Sequence, residues 1–239
     1  MTEHSTGRTV DLNADLGEGV TDDAGLLALV TSANVACGFH AGDDETMRVV
    51  CEGAAEAGVR IGAQVSYDDR EGFGRRPLDV AYDVLRAQVA EQVGLLDEIA
   101  RAAGTLVSYV KPHGALYNRV VDHEEQAAAV LDGSGDLPVL GLPGGALLRL
   151  AAEAGRATYT EGFPDRGYLE PQGGVVRLVP RDQPGALVEE PEEIARRAVG
   201  LAADVHSVCV HGDGPTAVEA ARAVRAALLG AGFALRGFL

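Results

Sequence analysis

The chain has 239 residues, 46% hydrophobic and 23% charged, which is enough apolar material for a sizeable core and too ordinary a balance for a disordered or fibrous protein. Its formal net charge of -16 is spread along the sequence with no Lys/Arg-rich run, which sets it against nucleic acid and anionic membrane surfaces as partners. No apolar run approaches membrane-spanning length, and Cys37, Cys51 and Cys209 show neither an even count nor CxxC spacing, so a reduced cytoplasmic protein without a disulfide framework or thiolate zinc site is expected.

Residues 1–8 form a polar tail with no apolar core of the signal-peptide kind. From Thr9 onward a unit repeats seven times: a β-branched apolar run, a polar glycine-containing turn, then an Ala/Leu/Glu-rich amphipathic stretch. The predicted strands are Thr9 to Asn13, Ser32 to Cys37, Val59 to Ala63, Leu106 to Lys111, Pro138 to Leu142, Ala157 to Thr160 and Ser207 to Val210. The clearest helix runs from Leu78 to Ala103, with Val80, Val84, Leu85, Val89, Val93, Leu96 and Ile99 along one face. Gly58, Gly104 and Gly155 stand where left-handed C-caps would end helices. Residues 161–191 break the rhythm with several prolines and an extra short strand at Val175 to Val179, and are expected as a long loop or hairpin over an active face. One domain over 9–239 is expected, with helices covering a mostly parallel sheet; periodicity leaves a closed barrel and an open doubly wound sheet equally open.

Nearly every strand ends in a polar cluster that a core has no use for. In parallel α/β folds these ends converge on one face, which argues for an enzyme. The alternation of Asp11, Asn13 and Asp15 puts three polar groups on one face of a strand, costly without partners. Asn34 lies in the second strand and His40 and Asp43 follow it, Asp43 reading as a helix N-cap; Asp69 and Arg70 follow the third. Lys111 and His113 end the fourth strand, where a cation would polarise a carbonyl or bind a carboxylate and an imidazole would move protons near neutral pH. Glu161 and Arg166 follow the sixth, His211 and Asp213 the seventh. Cys37 reads as a small apolar core residue. Asp15 with His40 suits a divalent metal, although no HxxxH or HExxH spacing supports it, and Gly141 to Gly145 is a turn lacking the GxxxxGK[ST] phosphate loop.

In this order, DLNADLGE, SANVACGFHAGD, DREGFGRR, VKPHGALYN, EGFPDRGY and CVHGDGP resemble the LamB/YcsF family over nearly the whole chain. The resemblance implies a seven-stranded β/α barrel of the glycoside hydrolase/deacetylase superfamily. It also implies the A component of an ATP-dependent 5-oxoprolinase, which acts with B and C subunits to convert 5-oxo-L-proline, ATP and water into L-glutamate, ADP and phosphate. A five-membered lactam keeps its amide resonance, so activation of its carbonyl oxygen, for instance by phosphorylation, explains the need for ATP. Carried over by position, Asp11, Asp15 and His40 would organise water or a metal, and Lys111 and His113 would hold and protonate the ring. Asn13, Asn34, Gln64, Asp69, Arg70, Glu161, Arg166, His211 and Asp213 would bind substrate or anchor loops. Gln64 stands where the family has a histidine, and it cannot titrate. Two other readings accompany this one: a metal-dependent deacetylase or amidohydrolase, and a lactam-binding paralogue without turnover.

Overall fold

The computed structural model describes residues 8–20, 22–211, 214 and 216–239; Asp213 and, apart from Arg8, the expected tail lie outside the described residues. Strands β1 (Thr9–Leu16), β2 (Ser32–Ala36), β3 (Arg60–Val65), β4 (Val107–Pro112), β5 (Val139–Gly141), β6 (Thr158–Gly162) and β7 (Ser207–Val210) alternate with helices. The helices are α1 (Asp23–Leu27), α2 (Asp44–Ala57), α3 (Tyr82–Ala102), α4 (Gly114–Asp122), α5 (Glu124–Gly133), α6 (Ala146–Glu153), α7 (Pro191–Leu201) and α8 (Ala217–Gly230). Each strand pairs in parallel with the next. β1 closes the sheet by pairing with β2 through Asn13↔Ser32 and with β7 through Asp11↔Ser207. The question left open by periodicity is thereby answered as a seven-stranded α/β barrel. An eighth strand, β8 (Ala234–Leu235), lies beside Thr9 and Val10; two residues are too few to leave a period in the sequence.

The alternation within β1 shows how the barrel is filled. Leu12, Ala14 and Leu16 face outward into the main core, with Leu26, Met47, Val224 and Leu228 from the surrounding helices. Asp11, Asn13 and Asp15 face the other way, into the barrel, where they meet Ser32, Asn34, Lys111 and Ser207. The interior is therefore polar and the apolar layer lies between strands and helices. Gly62 makes this interior possible, because a Cβ there would overlap the Tyr109 ring. Phe238, packed on Tyr109 and Tyr159 with centroids 5.0 and 4.6 Å apart, fills the end of the barrel away from the strand C-termini.

Local signals behave as their chemistry requires. Asp43 caps α2 by accepting from the Thr46 amide, and Gly58 ends that helix at φ 68°. Helix α3 starts at Tyr82 rather than Leu78, behind Pro77, and buries Leu85, Val89 and Leu96 while Val84 stays exposed. The strand expected at Val175 to Val179 is reduced to isolated antiparallel bridges, Tyr168↔Leu178 and Gln172↔Val175, because Gly173 and Gly174 turn the backbone and Pro171 and Pro180 supply no amide to a ladder.

Candidate functional site

A cleft of about 840 Å³ opens at the C-terminal ends of the strands. Its floor is Asp15 from β1 and Lys111 from β4; its walls include His113, Tyr117, Phe163, Arg166 and His211, and the loop through Leu178 to Asp182 covers one side. Lys111 is 2% exposed, and its ammonium lies 3.3 Å from Asp15 Oδ1 and 2.9 Å from Glu161 Oε2. It also donates to Asn13 Oδ1 and Cys209 Sγ and sits 5.1 Å from the centre of the Phe163 ring. Burial, the largest single influence, would raise the carboxyl of Asp15, but the adjacent ammonium, His211 and the Asn34 amide together outweigh burial and hold the group below the usual carboxylate range. Glu161 goes the other way, burial raising it against the pull of Lys111. Lys111, opposed by burial, is held protonated by Asp15, Cys209 and Glu161.

The expected site residues separate into three levels. Asp11, expected to organise water or metal, stands below the cleft instead, its carboxylate accepting from the hydroxyls of Thr31, Ser32 and Ser207, with burial raising it to about 6. Asn13 and Asn34 form the layer above, Asn34 donating to Asn13 and Asp15 and accepting from Tyr109. These side chains support the floor and do not line the cleft. Asp15, Lys111, Glu161 and His211 form the working level. His211 rests on the Phe163 ring at 5.1 Å and pairs through Nδ1 with Asp165 Oδ2 at 2.8 Å; burial opposes its charge, but Asp165 raises it above the ordinary imidazole value.

At the side of this floor lies a cluster of Glu18, His40, Gln64 and His113. Gln64 Nε2 donates to Glu18 Oε1 at 3.1 Å and sits 3.0 Å from His113 Nδ1. His113 Nε2 lies 3.1 Å from the Phe73 carbonyl oxygen, which can only accept, so Nε2 carries the hydrogen and Nδ1 the lone pair. Both ring nitrogens are thus turned into the protein. Burial first, then the stacked His40 ring at 4.0 Å, pushes His113 well below the ordinary imidazole value, so it remains neutral. Gln64 is fully buried and braces His113 rather than facing the cleft.

Asp69 anchors its own loop, accepting from the Gly72 and Arg76 amides and pairing with the Arg76 guanidinium. Arg70 is exposed and donates to the Gly38 carbonyl. Arg166 donates to the carbonyls of Ala186 and Val179, tying the long loop down beside the cleft. Sequence reasoning left four cleft-side groups without a role: Glu18, Tyr117, Phe163 and Asp165. Glu18 and Asp165 sit in the polar strand-end motifs, where position relative to the strand was the available signal. Tyr117 and Phe163 carry none, since aromatic residues on a helix and past a strand read as core.

The LamB/YcsF family model matches residues 10–238. The chain belongs to the LamB/YcsF family. It is 56% identical to the A component of 5-oxoprolinase from Streptomyces avermitilis and 50% identical to that from Mycobacterium avium, over 96% of this chain and 99% and 98% of theirs. The lactam utilization protein of Thermus thermophilus superposes with a TM-score of 0.87 at 36% identity, covering 96% of this chain and 99% of that one. A family 4 carbohydrate esterase from Streptomyces lividans shares the fold alone, with a TM-score of 0.51 at 12% identity over 96% of this chain and 92% of that one. Among the described residues no helix is long and apolar enough to cross a membrane.

Proposed function

We propose that this member of the LamB/YcsF family is the A component of an ATP-dependent 5-oxoprolinase and supplies the lactam-binding site of a hydrolase completed by B and C subunits. One observation carries the reading: a protonated lysine held between two buried carboxylates at the floor of a cleft, in a chain whose relatives bear that name. Lys111 presents its ammonium to the lactam carbonyl oxygen, where negative charge grows as the carbon becomes tetrahedral. Asp15, kept ionised by Lys111, accepts from the ring N–H and sets its orientation. The Phe163 face packs on the apolar ring edge, and the His211–Asp165 pair hands a proton to the departing nitrogen. Proton transfer is therefore assigned to His211 and not to His113, whose nitrogens are both engaged inside the protein.

ATP is the co-substrate in this reading. The sequence contains no GxxxxGK[ST] phosphate loop, so the activation step is assigned to the partner subunits. Arg75, Arg119 and Arg181 on the cleft rim supply positive potential for a carboxylate or a phosphorylated intermediate. The three cysteines are free and buried, which suits work in the reducing cytoplasm. The test is 5-oxoproline-dependent ATP hydrolysis and glutamate release by the purified chain, alone and with B and C subunits. Turnover is expected only in the mixture and is lost on Asp15→Asn. Robust turnover by the single chain, or an undiminished rate for Asp15→Asn in the mixture, refutes the assignment.

A further inference from the structure

We propose that Glu18, His40 and His113 bind one divalent transition-metal ion, zinc matching best, with the Gln64 amide turning to offer its oxygen as a fourth ligand. The three donors come from the loop after β1, the loop after β2 and the end of β4, and one ligand atom of each lies within 4.8 Å of the other two. Four zinc ligands at about 2.1 Å stand about 3.4 Å apart along the edges of a tetrahedron. Here Glu18 Oε1 is 3.6 Å from His40 Nε2 and 3.5 Å from His113 Nδ1, and Gln64 Nε2 is 3.1 and 3.0 Å from Glu18 Oε1 and His113 Nδ1. Four of the six edges are thus near the required length before the Gln64 amide and the His40 ring turn, with Oε1 taking the position that Nε2 now holds.

The protonation pattern fits a ligand set as well. A metal-binding histidine usually donates its second ring N–H to a carbonyl or carboxylate, which fixes the tautomer. His113 does this through Nε2 and the Phe73 carbonyl, leaving the Nδ1 lone pair to face the Gln64 NH₂ group, 3.5 Å from Glu18 Oε1. Gln64 meanwhile points its electropositive NH₂ group at both Glu18 and His113, the place a cation would take. Its Oε1 is buried without a partner among the described residues, so rotation of the amide by half a turn costs no bond on that side and presents a donor oxygen to the same centre.

His40 gives the independent observation. It is 1% exposed, and neither ring nitrogen has a hydrogen-bond partner among the described residues. An orphaned buried imidazole is costly, and the cost is removed by a ligand at one nitrogen. The ring stacks on His113 with planes 13° apart, so ligation through both rings requires His40 to turn; with no hydrogen bond at either nitrogen, that turn breaks none. One carboxylate and two imidazoles select a borderline transition ion over magnesium or calcium, which prefer oxygen.

The experiment is calorimetric titration of zinc into the chelator-treated full-length chain and three variants. Loss of an outer-shell partner alone typically lowers metal affinity about 10- to 100-fold. One ion per chain is expected, weakened at least about tenfold by the near-isosteric Glu18→Gln and by His40→Gln. Gln64→His, which adds an imidazole, is expected to bind at least about tenfold tighter, a gain that misfolding cannot produce. Absence of a saturable ion, or full affinity in either loss variant, overturns the site; no gain with Gln64→His overturns the place of Gln64 as fourth ligand.

Discussion

Replacing Lys111 by methionine removes the charge that compensates two buried carboxylates while roughly keeping the length of the side chain. Asp15 and Glu161 would then lie in a polar but largely dry interior, at 4% and 0% exposure, without a cation at 3.3 and 2.9 Å. Removing one partner of a buried ion pair costs about 3–5 kcal/mol, a large share of the roughly 5–15 kcal/mol that holds a domain together. At about 2–4 °C per kcal/mol for a chain of this size, the melting temperature should fall by roughly 6–20 °C. The loss must also depend on pH. In the parent, Asp15 is held below its unfolded value, so its pairing stabilises the fold above the unfolded carboxylate range and is lost as pH falls through the lowered value. In the variant burial is opposed only by what remains, such as the Asn34 amide at Asp15 and the Tyr117 hydroxyl at Glu161, and is expected to raise both carboxyls above their unfolded values, so the penalty appears as pH rises beyond about 4. Urea unfolding of both proteins at pH 5, 6, 7 and 8 should show a gap that widens with pH. A loss under about 1 kcal/mol at pH 7, or a gap that does not change with pH, would refute the charge-pairing argument. It follows that Lys111 substitutions weaken the fold as well as the site, so their activity has to be assayed well below the variant's melting temperature.

His211 is held above the ordinary imidazole value by Asp165, so its charged form stabilises the fold below about pH 6.5 and that contribution fades as pH rises through the raised value. NMR titration should place His211 above about 6.5 in the parent and lower in Asp165→Asn; an unmoved midpoint would break the pairing argument. Gly74 has φ 66°, and an added Cβ would overlap Ser66 Oγ and approach His40 Cβ to 2.9 Å. Gly74→Ala should therefore cost at least about 1–2 kcal/mol by denaturant melts and disturb the Phe73 carbonyl that orients His113. An unaltered melt would mean that the loop relaxes freely.

The seven strands and the helices between them were legible in the sequence because each obeys one local rule, a period of two or of 3.6 residues bounded by glycine or a cap. Asp43 and Gly58 announced the ends of α2 in this way. The strand-end position of Asp15, Lys111, Glu161 and His211 was equally legible, since a parallel barrel sends all such ends to one face. What sequence could not supply was depth. Asp11 and Asp15 alternate on the same strand face with the same chemistry, yet one accepts from three hydroxyls beneath the floor and the other meets Lys111 at the cleft. The difference arises from the register of β1 against β2 and β7, which puts Ser32 and Ser207 beside the first and Asn34 beside the second, and from closure of the barrel, which brings Lys111 across from β4 to Asp15. The same holds for proton chemistry. His113 and His211 look alike at the ends of their strands, but only packing gave one a carbonyl, an amide and a neighbouring imidazole, and the other a carboxylate. Local order is written in short-range periodicity; protonation, partner and depth depend on contacts between residues distant in sequence, such as Asn13 with Ser207, 194 positions apart, which the chain acquires only on closing the barrel.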